Sequence, residues 1–337
     1  MIREPHTLRT ALVSLLLLAG GSRPAGAQDP AQAFFTAPEN ALSVSELGTP
    51  FEMLWGAHQV GDLVVERAFL VLPCSLEGID VPLYLQFDLG APSSVLYREA
   101  VDAVIARGAN LQRPASGASS VVDLELTVGT TRVRADRLDV VPHGGSIDWE
   151  DGASRPFLGT LGADWLDGRV LVLDFPRNRI ELAASVPERF REQTFEPFSF
   201  RGRRLFLPAV VDGTPGSLWF DTGSSAFELI TDEETFAAMA LEGAEEVVYP
   251  ANSWGRPVKV HNVATRSSIV FGETTIAVEQ VSTIEWPDPS MVAGLTQLLR
   301  GTHMRGMCGN RLFRRHVLVL DAAKERFWVG AARADEE

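Results

Sequence analysis

The sequence predicts an all-β fold with two similar β-rich lobes and a cleft between them. After residue 50 the chain consists mostly of short strand-like runs separated by Gly, Pro, Asn and Asp turns, and little of it has helical spacing. Two sequence motifs also occur twice in the same order, which indicates an internal duplication. With 337 residues, the chain is long enough to form one hydrophobic core in each half.

In the first half, apolar alternation and turn residues predict a strand hairpin, a short strand, a helix and a further strand pair. A Pro-, Ser- and Gly-rich loop is expected at 112–120. The elements are strands at 64–73 and 81–87, strand Ser94–Tyr97, helix Arg98–Arg107, and strands Val121–Val128 and Thr131–Val141.

In the second half, the same plan is expected to follow a linker at 183–196. The predicted elements are strand Leu205–Val211, a turn at 212–216, strand Leu218–Phe220, helix Asp232–Ala240, several strands within 246–282 with a turn at Gly272-Glu273, helix Val292–Leu299, and strands ending at Gly330.

The first motif is an apolar strand that ends in Asp-Xaa-Gly. It occurs at residues 83–91 (LYLQFDLGA) and 217–225 (SLWFDTGSS), which place Asp88 and Asp221 133 residues apart. The strand fixes the backbone before the acid, and the glycine allows a sharp turn after it. Since an unpaired buried charge is costly, a carboxylate at this position indicates either a chemical role or a turn acid that caps its own loop.

The second motif is an apolar segment around a glycine. It occurs at 157–166 (FLGTLGADWL) and 305–313 (RGMCGNRLF), with Gly162 and Gly309 147 residues apart. The second unit therefore carries about 14 more residues between its motifs. A Val-Leu-Val-Leu-Asp run follows each copy and ends at Asp174 or Asp321, which we interpret as acids that form turns at strand ends.

Two acids carried on equivalent turns can meet on the pseudo-twofold axis of a duplicated fold. Two carboxylates held close together do not both ionise easily, so one keeps a proton. Asp88 and Asp221 would then supply a base, which takes a proton from water, and an acid, which polarises a carbonyl. This chemistry suits amide hydrolysis without a metal or another cofactor.

The motifs FDLGA at 87–91 and FDTGS at 220–224, each followed by an apolar-Gly segment, resemble those of the pepsin and retropepsin superfamily of aspartic proteases. The resemblance covers about residues 60–330. It implies a pepsin-like or retropepsin-like bilobal fold, a polypeptide substrate, no cofactor, no metal, and a catalytic dyad of Asp88 and Asp221. Supporting roles in the turns and crossed loops are implied for Gly90, Thr222, Gly223, Ser224, Gly162 and Gly309.

Leu89 and the flap are where the chain departs from the family pattern. Leu89 stands where the family has a Thr whose hydroxyl bonds to the other turn, a loss of roughly 1 kcal/mol of hydrogen bonding. The flap expected around Ser116 and Gly117 has no aromatic residue. Trp254, on a corresponding turn of the second lobe, could take the place of the flap aromatic residue. Equally, it could be an exposed loop residue or a side chain that fills the core.

Residues 1–27 have the features of a secretory signal peptide: a basic start, an apolar run and an Ala-Gly-Ala cleavage site. The apolar run is too short to span a membrane, so we expect an exported protein that is periplasmic or secreted. An N-terminal arm at 28–50 precedes lobes at 51–186 and 187–334. The arm contains no Lys or Arg, which predicts that no pepsin-style zymogen exists.

The charge of the chain argues against some partners. The net charge of −14 becomes −16 without residues 1–27, which carry three arginines and one glutamate. Nucleic acid and anionic membrane surfaces are therefore not expected as partners. The oligomeric state is left open, with a monomer favoured. Cys74 and Cys308 could pair in an oxidising compartment, although two buried thiols are the preferred interpretation.

Two main hypotheses follow, and a third has less support. The first is an exported aspartic endopeptidase, which both intact acids and Thr222 favour. The second is a catalytically weakened or inactive protein of the same fold that binds extended peptides, which Leu89 and the missing flap aromatic favour. The third is an unrelated β-rich envelope protein whose motifs are coincidental.

Overall fold

The structure, a computed structural model, describes residues 35–39, 42–60, 63–113, 119–143, 147–150, 155–253, 256–287 and 303–332. These residues form a mostly β fold. The strands of the first half are β1 Leu42–Ser45, β2 Phe51–Glu52, β3 Leu54–Val60, β4 Leu63–Leu76, β5 Leu83–Phe87, β6 Val95–Tyr97, β7 Ser120–Val128, β8 Thr131–Val141, β9 Phe157–Leu161, β10 Val170–Asp174 and β11 Arg179–Ala183.

The second half is built in the same way, with one short helix matching the helix of the first half. The helices are α1 Arg98–Arg107 and α2 Glu233–Met239. The strands are β12 Glu196–Pro197, β13 Ser199–Arg201, β14 Arg204–Val211, β15 Thr214–Phe220, β16 Leu229–Ile230, β17 Val247–Ser253, β18 Arg256–Ala264, β19 Ser268–Phe271, β20 Thr274–Ala277, β21 Gln280–Glu285, β22 Met304–Cys308, β23 His316–Asp321 and β24 Arg326–Ala331.

Each lobe has its own sheet with the same topology around its Asp-bearing turn. An eight-stranded sheet contains β5 and a ten-stranded sheet contains β15. In the first lobe, β9 lies between β5, to which it is parallel, and β6, to which it is antiparallel. In the second lobe, β22 lies in the same way between β15 and β16. The predicted all-β fold of two similar lobes is therefore confirmed.

A six-stranded sheet joins the two lobes in the order β12-β24-β23-β10-β11-β2. Its central strands β10 and β23 are antiparallel and pair Val172 with Val319, residues that are 147 positions apart. Equivalent residues of the two repeats thus face each other at the pseudo-twofold axis. Their Val and Leu side chains are buried on both faces of the sheet, which stabilises the lobe junction by apolar burial.

Several predicted elements are confirmed, and one is wrong. Helix α1 has the predicted bounds, and α2 begins after Asp232, whose side chain accepts a hydrogen bond from the Thr235 N–H. The turn predicted at 212–216 is shorter, since β15 already begins at Thr214 and pairs with Val211. The helix predicted at Val292–Leu299 and the signal peptide lie outside the described residues, as do residues 28–34, 40 and 41 of the N-terminal arm. The arm's described strand, β1, pairs with β8 at the edge of the first sheet.

Both cysteines are free and buried, as the preferred interpretation predicted. Burial without a compensating positive charge raises the pKa of both thiols, so they stay protonated and behave as small apolar core residues. In the part of the chain that the structure describes, no helix is long and apolar enough to cross a lipid bilayer.

Candidate active site

The two predicted acids lie at the ends of equivalent central strands. Asp88 directly follows β5 and Asp221 directly follows β15, and both side chains are fully buried at the junction of the lobes. The amide N–H of Asp88 donates to the Leu161 carbonyl, and that of Asp221 donates to the Cys308 carbonyl. Each acid is therefore held by its parallel neighbour strand, immediately before the glycine of the second motif.

The turns after the acids supply hydrogen-bond donors to the carboxylates. Asp88 Oδ1 accepts from the N–H groups of Gly90 (2.9 Å) and Ala91 (3.2 Å). Asp221 Oδ1 accepts from the Gly223 N–H (2.8 Å) and its Oδ2 from the Ser224 hydroxyl (2.9 Å). A hydroxyl therefore contacts the carboxylate in the second lobe, at the position where the first lobe has Ala91.

The two turns are packed directly against each other. A Cβ atom added to Gly90 would lie 2.6 Å from Asp221 Oδ1, so only a glycine leaves room for that carboxylate. The Thr222 hydroxyl accepts a hydrogen bond from the Leu89 N–H (2.8 Å) and donates one to the Phe87 carbonyl (3.0 Å). Leu89 itself is fully buried in the apolar core. One threonine, Thr222, thus bridges the lobes. At position 89, where the family has a second threonine, the Leu89 side chain packs in the apolar core instead.

Removing this bridge is expected to destabilise the protein. Thr222→Val keeps the shape of the side chain but leaves the Leu89 N–H and the Phe87 carbonyl buried without their partner, which costs about 1–3 kcal/mol in the free energy of unfolding. Thr222→Ser keeps the hydroxyl and serves as the control. Urea unfolding should give a lower midpoint for the valine variant than for the serine variant. Equal midpoints would mean that the bridge contributes nothing.

The electrostatics of the pair favour a proton on Asp221. Burial raises its pKa well above the ordinary value, and the neighbouring charge of Asp88 raises it further. The hydrogen bonds from Ser224 and Gly223 lower the pKa but do not outweigh burial. The buried pair therefore holds a proton at a pH where an exposed aspartate is ionised.

This raised pKa makes a prediction about stability. As pH rises from the ordinary value of 3.8 toward the raised pKa of Asp221, the unfolded chain loses the proton while the folded chain keeps it, so the free energy of unfolding falls. Asp221→Asn removes this loss. The difference in Tm between the Asp221→Asn variant and the wild type should therefore increase with pH across this interval. The increase is about 2–4 °C for each kcal/mol that the wild type loses in the free energy of unfolding. Asp212→Asn, a variant in an exposed turn, is the control for replacing an acid elsewhere in the chain. A difference for Asp221→Asn that stays constant with pH would contradict the raised pKa of Asp221.

The two glycines of the second motif lie where the following loop crosses the Asp-bearing turn. A Cβ atom on Gly309 would lie 1.9 Å from the Ser224 carbonyl oxygen, and one on Gly162 would lie 2.6 Å from the Ser93 carbonyl carbon. After Gly309, the Asn310 side chain donates to the Thr222 carbonyl (3.2 Å) and to the Ser225 hydroxyl (2.7 Å). These close crossings fix the backbone that carries the acids.

Ser94 and Asp164 provide the corresponding support in the first lobe, which sequence reasoning did not identify. Asp164 accepts hydrogen bonds from the Ser94 N–H (2.9 Å) and hydroxyl (2.7 Å), and the same hydroxyl accepts from the Gly162 N–H (2.9 Å). The sequence shows a carboxylate within an apolar segment two residues after the motif glycine, where the second repeat has Arg311, and the structure shows that this carboxylate is buried.

The two lobes present different side chains beside the acids. Because side chains alternate along a strand, Gln86 and Trp219 lie on the same strand faces as Asp88 and Asp221. Their neighbours in register are Thr160 and Met307. Gln86 is buried, and among the described residues its Nε2 has no hydrogen-bond partner. The first lobe is thus polar next to its acid, whereas the second is apolar.

The predicted flap residues Ser116, Gly117 and Trp254 lie outside the described residues. Around them, Gln112 and Val122 form an antiparallel bridge in the first lobe, and β17 and β18 pair up to Ser253 and Arg256 in the second. Within the described ranges, no group of three or more His, Cys, Asp or Glu side chains is arranged to hold a metal ion.

Fold and site together define a two-lobed β protein with a pair of buried, interacting aspartates at the lobe junction. The fold is similar to the crystal structure of an aspartic proteinase from Irpex lacteus, with a TM-score of 0.44 and 10% sequence identity, over 78% of this chain and 94% of that chain. No protein-family model matches the chain, and neither does any curated protein. What the site can do therefore follows from its own residues.

Proposed function

We propose that this protein is an exported aspartic endopeptidase that hydrolyses peptide bonds with a water molecule activated by Asp88 and Asp221. The observation that carries the proposal is the contact between two buried Asp-Xaa-Gly turns, one from each repeat, with the pKa of Asp221 raised by burial and further by the charge of Asp88. Such a pair supplies an acid and a base at one point.

The proposed reaction needs no group beyond the two acids and water. The Asp88 carboxylate takes a proton from the water, whose oxygen attacks the carbonyl carbon of the substrate, while Asp221 gives its proton to the carbonyl oxygen. The resulting gem-diol then collapses: one diol hydroxyl returns its proton to Asp221, Asp88 protonates the amide nitrogen, and the C–N bond breaks. Hydrogen bonds from the turn N–H groups hold both carboxylates in place during these transfers.

The second candidate is an inactive protein that binds extended peptides in the same cleft. Leu89 favours it, because among the described residues Thr222 is the one whose hydroxyl bridges the turns. The complete burial of both carboxylates favours it as well. Activity and burial can coexist if the cleft opens to admit substrate, so the two candidates differ in turnover and not in peptide binding.

Cleavage of a peptide library between pH 3 and 8, with and without a statine-containing inhibitor, distinguishes the two candidates. The endopeptidase predicts cleavage that the inhibitor blocks, since its hydroxyl imitates the tetrahedral intermediate. Inhibitor binding without cleavage at any pH would support the inactive peptide-binding protein. If the protein neither cleaves any peptide nor binds the inhibitor, both candidates are contradicted.

A further inference from the structure

A cavity of about 530 Å³ lies at the lobe junction beside the turn that carries Asp221. It is lined by residues of both lobes, among them Trp55, Val64 and Arg67 from the first and Ser225, Tyr249 and Arg311 from the second. Ser225 is four residues after Asp221, and a 3₁₀ turn rises about 2 Å per residue. The cavity wall therefore begins about 8 Å from the acid, which an extended peptide spans with two or three residues.

The cavity has a preorganised aromatic floor. The Trp55 Nε1–H donates to Asn178 Oδ1 (2.9 Å), and the Trp55 ring packs on Phe175 with 6.3 Å between ring centroids. Tyr249 stacks on Phe227 with a centroid distance of 6.2 Å and an angle of 12° between the rings. Because these rings are held by neighbours, an apolar group can bind without first ordering the floor.

Exposed apolar side chains stand at the edge of the cavity. Among the described residues, the large hydrophobic side chains that remain exposed are Val64 (48%), Val247 (45%) and Val248 (46%). Val64 and Val247 line the cavity from opposite lobes. Apolar groups left exposed on both sides of a concave surface are typical of a binding site.

The charged groups of the wall are three arginines, Arg67, Arg311 and Arg314, and one glutamate, Glu66, although the whole chain has a net charge of −14. Arg311 is fixed by hydrogen bonds from Nε to Glu228 Oε1 (3.2 Å) and from Nη1 to Gln280 Oε1 (3.4 Å). The guanidinium of Arg67 lies over the Trp55 ring at 5.2 Å and forms no ion pair with a described residue. Arg67 therefore places an available positive charge directly above the aromatic floor.

We propose that this cavity binds a bulky apolar residue of the substrate polypeptide together with a neighbouring carboxylate, two or three positions from the bond that is cut. The inference rests on the proposed function and adds a substrate class to it. The aromatic floor and the valines take the apolar side chain, and Arg67 pairs with the carboxylate. That carboxylate is either an acidic side chain or the C-terminus of a peptide, which have the same charge and geometry.

Peptide binding to the full chain carrying Asp221→Asn tests the cavity without turnover. The probes are fluorescein-labelled decapeptides of alternating Ala and Leu with a central Phe-Phe, in which Glu or Gln occupies each flanking position in turn. Each probe has a free or an amidated C-terminus. At low salt, Glu two or three positions to one side should bind about tenfold more tightly than Gln, and the preference should weaken at 0.5 M salt. A preference for the free C-terminus alone would assign the site to terminal carboxylates.

Arg67→Gln should reduce the Glu preference to less than about threefold. Arg315→Gln, an arginine outside the lining and 76% exposed, should leave it unchanged. Val64→Glu should abolish the preference without altering the core, since that side chain is exposed. Equal binding of Glu and Gln probes, or equal effects of Arg67→Gln and Arg315→Gln, would overturn the inference. If the Glu preference is found but the wild-type protein cuts no peptide, the proposed binding site is supported and the proposed protease function is contradicted.

Discussion

Asp221→Asn is expected to lower kcat/KM for peptide cleavage by about 10²–10⁴-fold, the contribution of one positioned acid or base. The amide keeps the size of the side chain. Its oxygen can still accept from the Gly223 N–H and its NH2 group can donate to the Ser224 hydroxyl oxygen, so the turn persists while the transferable proton is lost. The rates are measured on one quenched-fluorescence peptide at the optimal pH. Asp88→Asn should have an effect of the same size.

Asp174→Asn is the matched control. Asp174 is also a repeated acid at a strand end, but it accepts hydrogen bonds from the backbone and side chain of Arg177 and lies away from the dyad. Its variant should keep wild-type kcat/KM once folded. Cleavage that survives Asp221→Asn would rule out the aspartic endopeptidase.

Gly309→Ala is expected to have the largest effect on stability. The added methyl would lie 1.9 Å from the Ser224 carbonyl oxygen, a backbone atom that cannot rotate away, so the crossing of loop and turn has to open. Overpacking of this kind costs about 3 kcal/mol in the free energy of unfolding. Because Ser224 also donates to Asp221, any folded variant should lose activity as well.

Gly243→Ala separates this clash from the general cost of replacing a glycine. Gly243 has a φ of +75° and no atom within 4 Å of its added Cβ, so its variant bears only the backbone cost of about 1 kcal/mol. Urea unfolding of the two variants measures the difference. If Gly309→Ala were no less stable than Gly243→Ala, the proposed close crossing would be wrong.

The duplication made the overall fold predictable, since equivalent turns of two repeats have to face each other. It also predicted the strand-end roles of Asp174 and Asp321, which accept hydrogen bonds from the N–H groups of Arg177 and Lys324. Bounds such as those of α1 followed from local helical composition and spacing, and in the structure the helix ends before Gly108, whose φ of 110° is the left-handed conformation that favours glycine.

The remaining features depend on contacts between residues far apart in the sequence. The cavity brings Arg67 and Arg311 together from opposite lobes, and no local pattern indicates that neighbourhood. The sequence shows a polar residue, Gln86, in the first repeat where the second has the apolar Trp219. Only the strand register shows that both side chains lie beside the acids. Leu89 suggested a weakened link between the turns, whereas the structure shows that the Thr222 hydroxyl makes two hydrogen bonds to the first turn.

The most direct test is a crystal structure of the protein bound to a statine-containing peptide. Shared catalysis by Asp88 and Asp221 predicts the statine hydroxyl within about 2.5–3.2 Å of a carboxylate oxygen of each acid. A hydroxyl that contacts only one of them, or an inhibitor bound away from the two turns, would contradict an aspartate pair acting on one water.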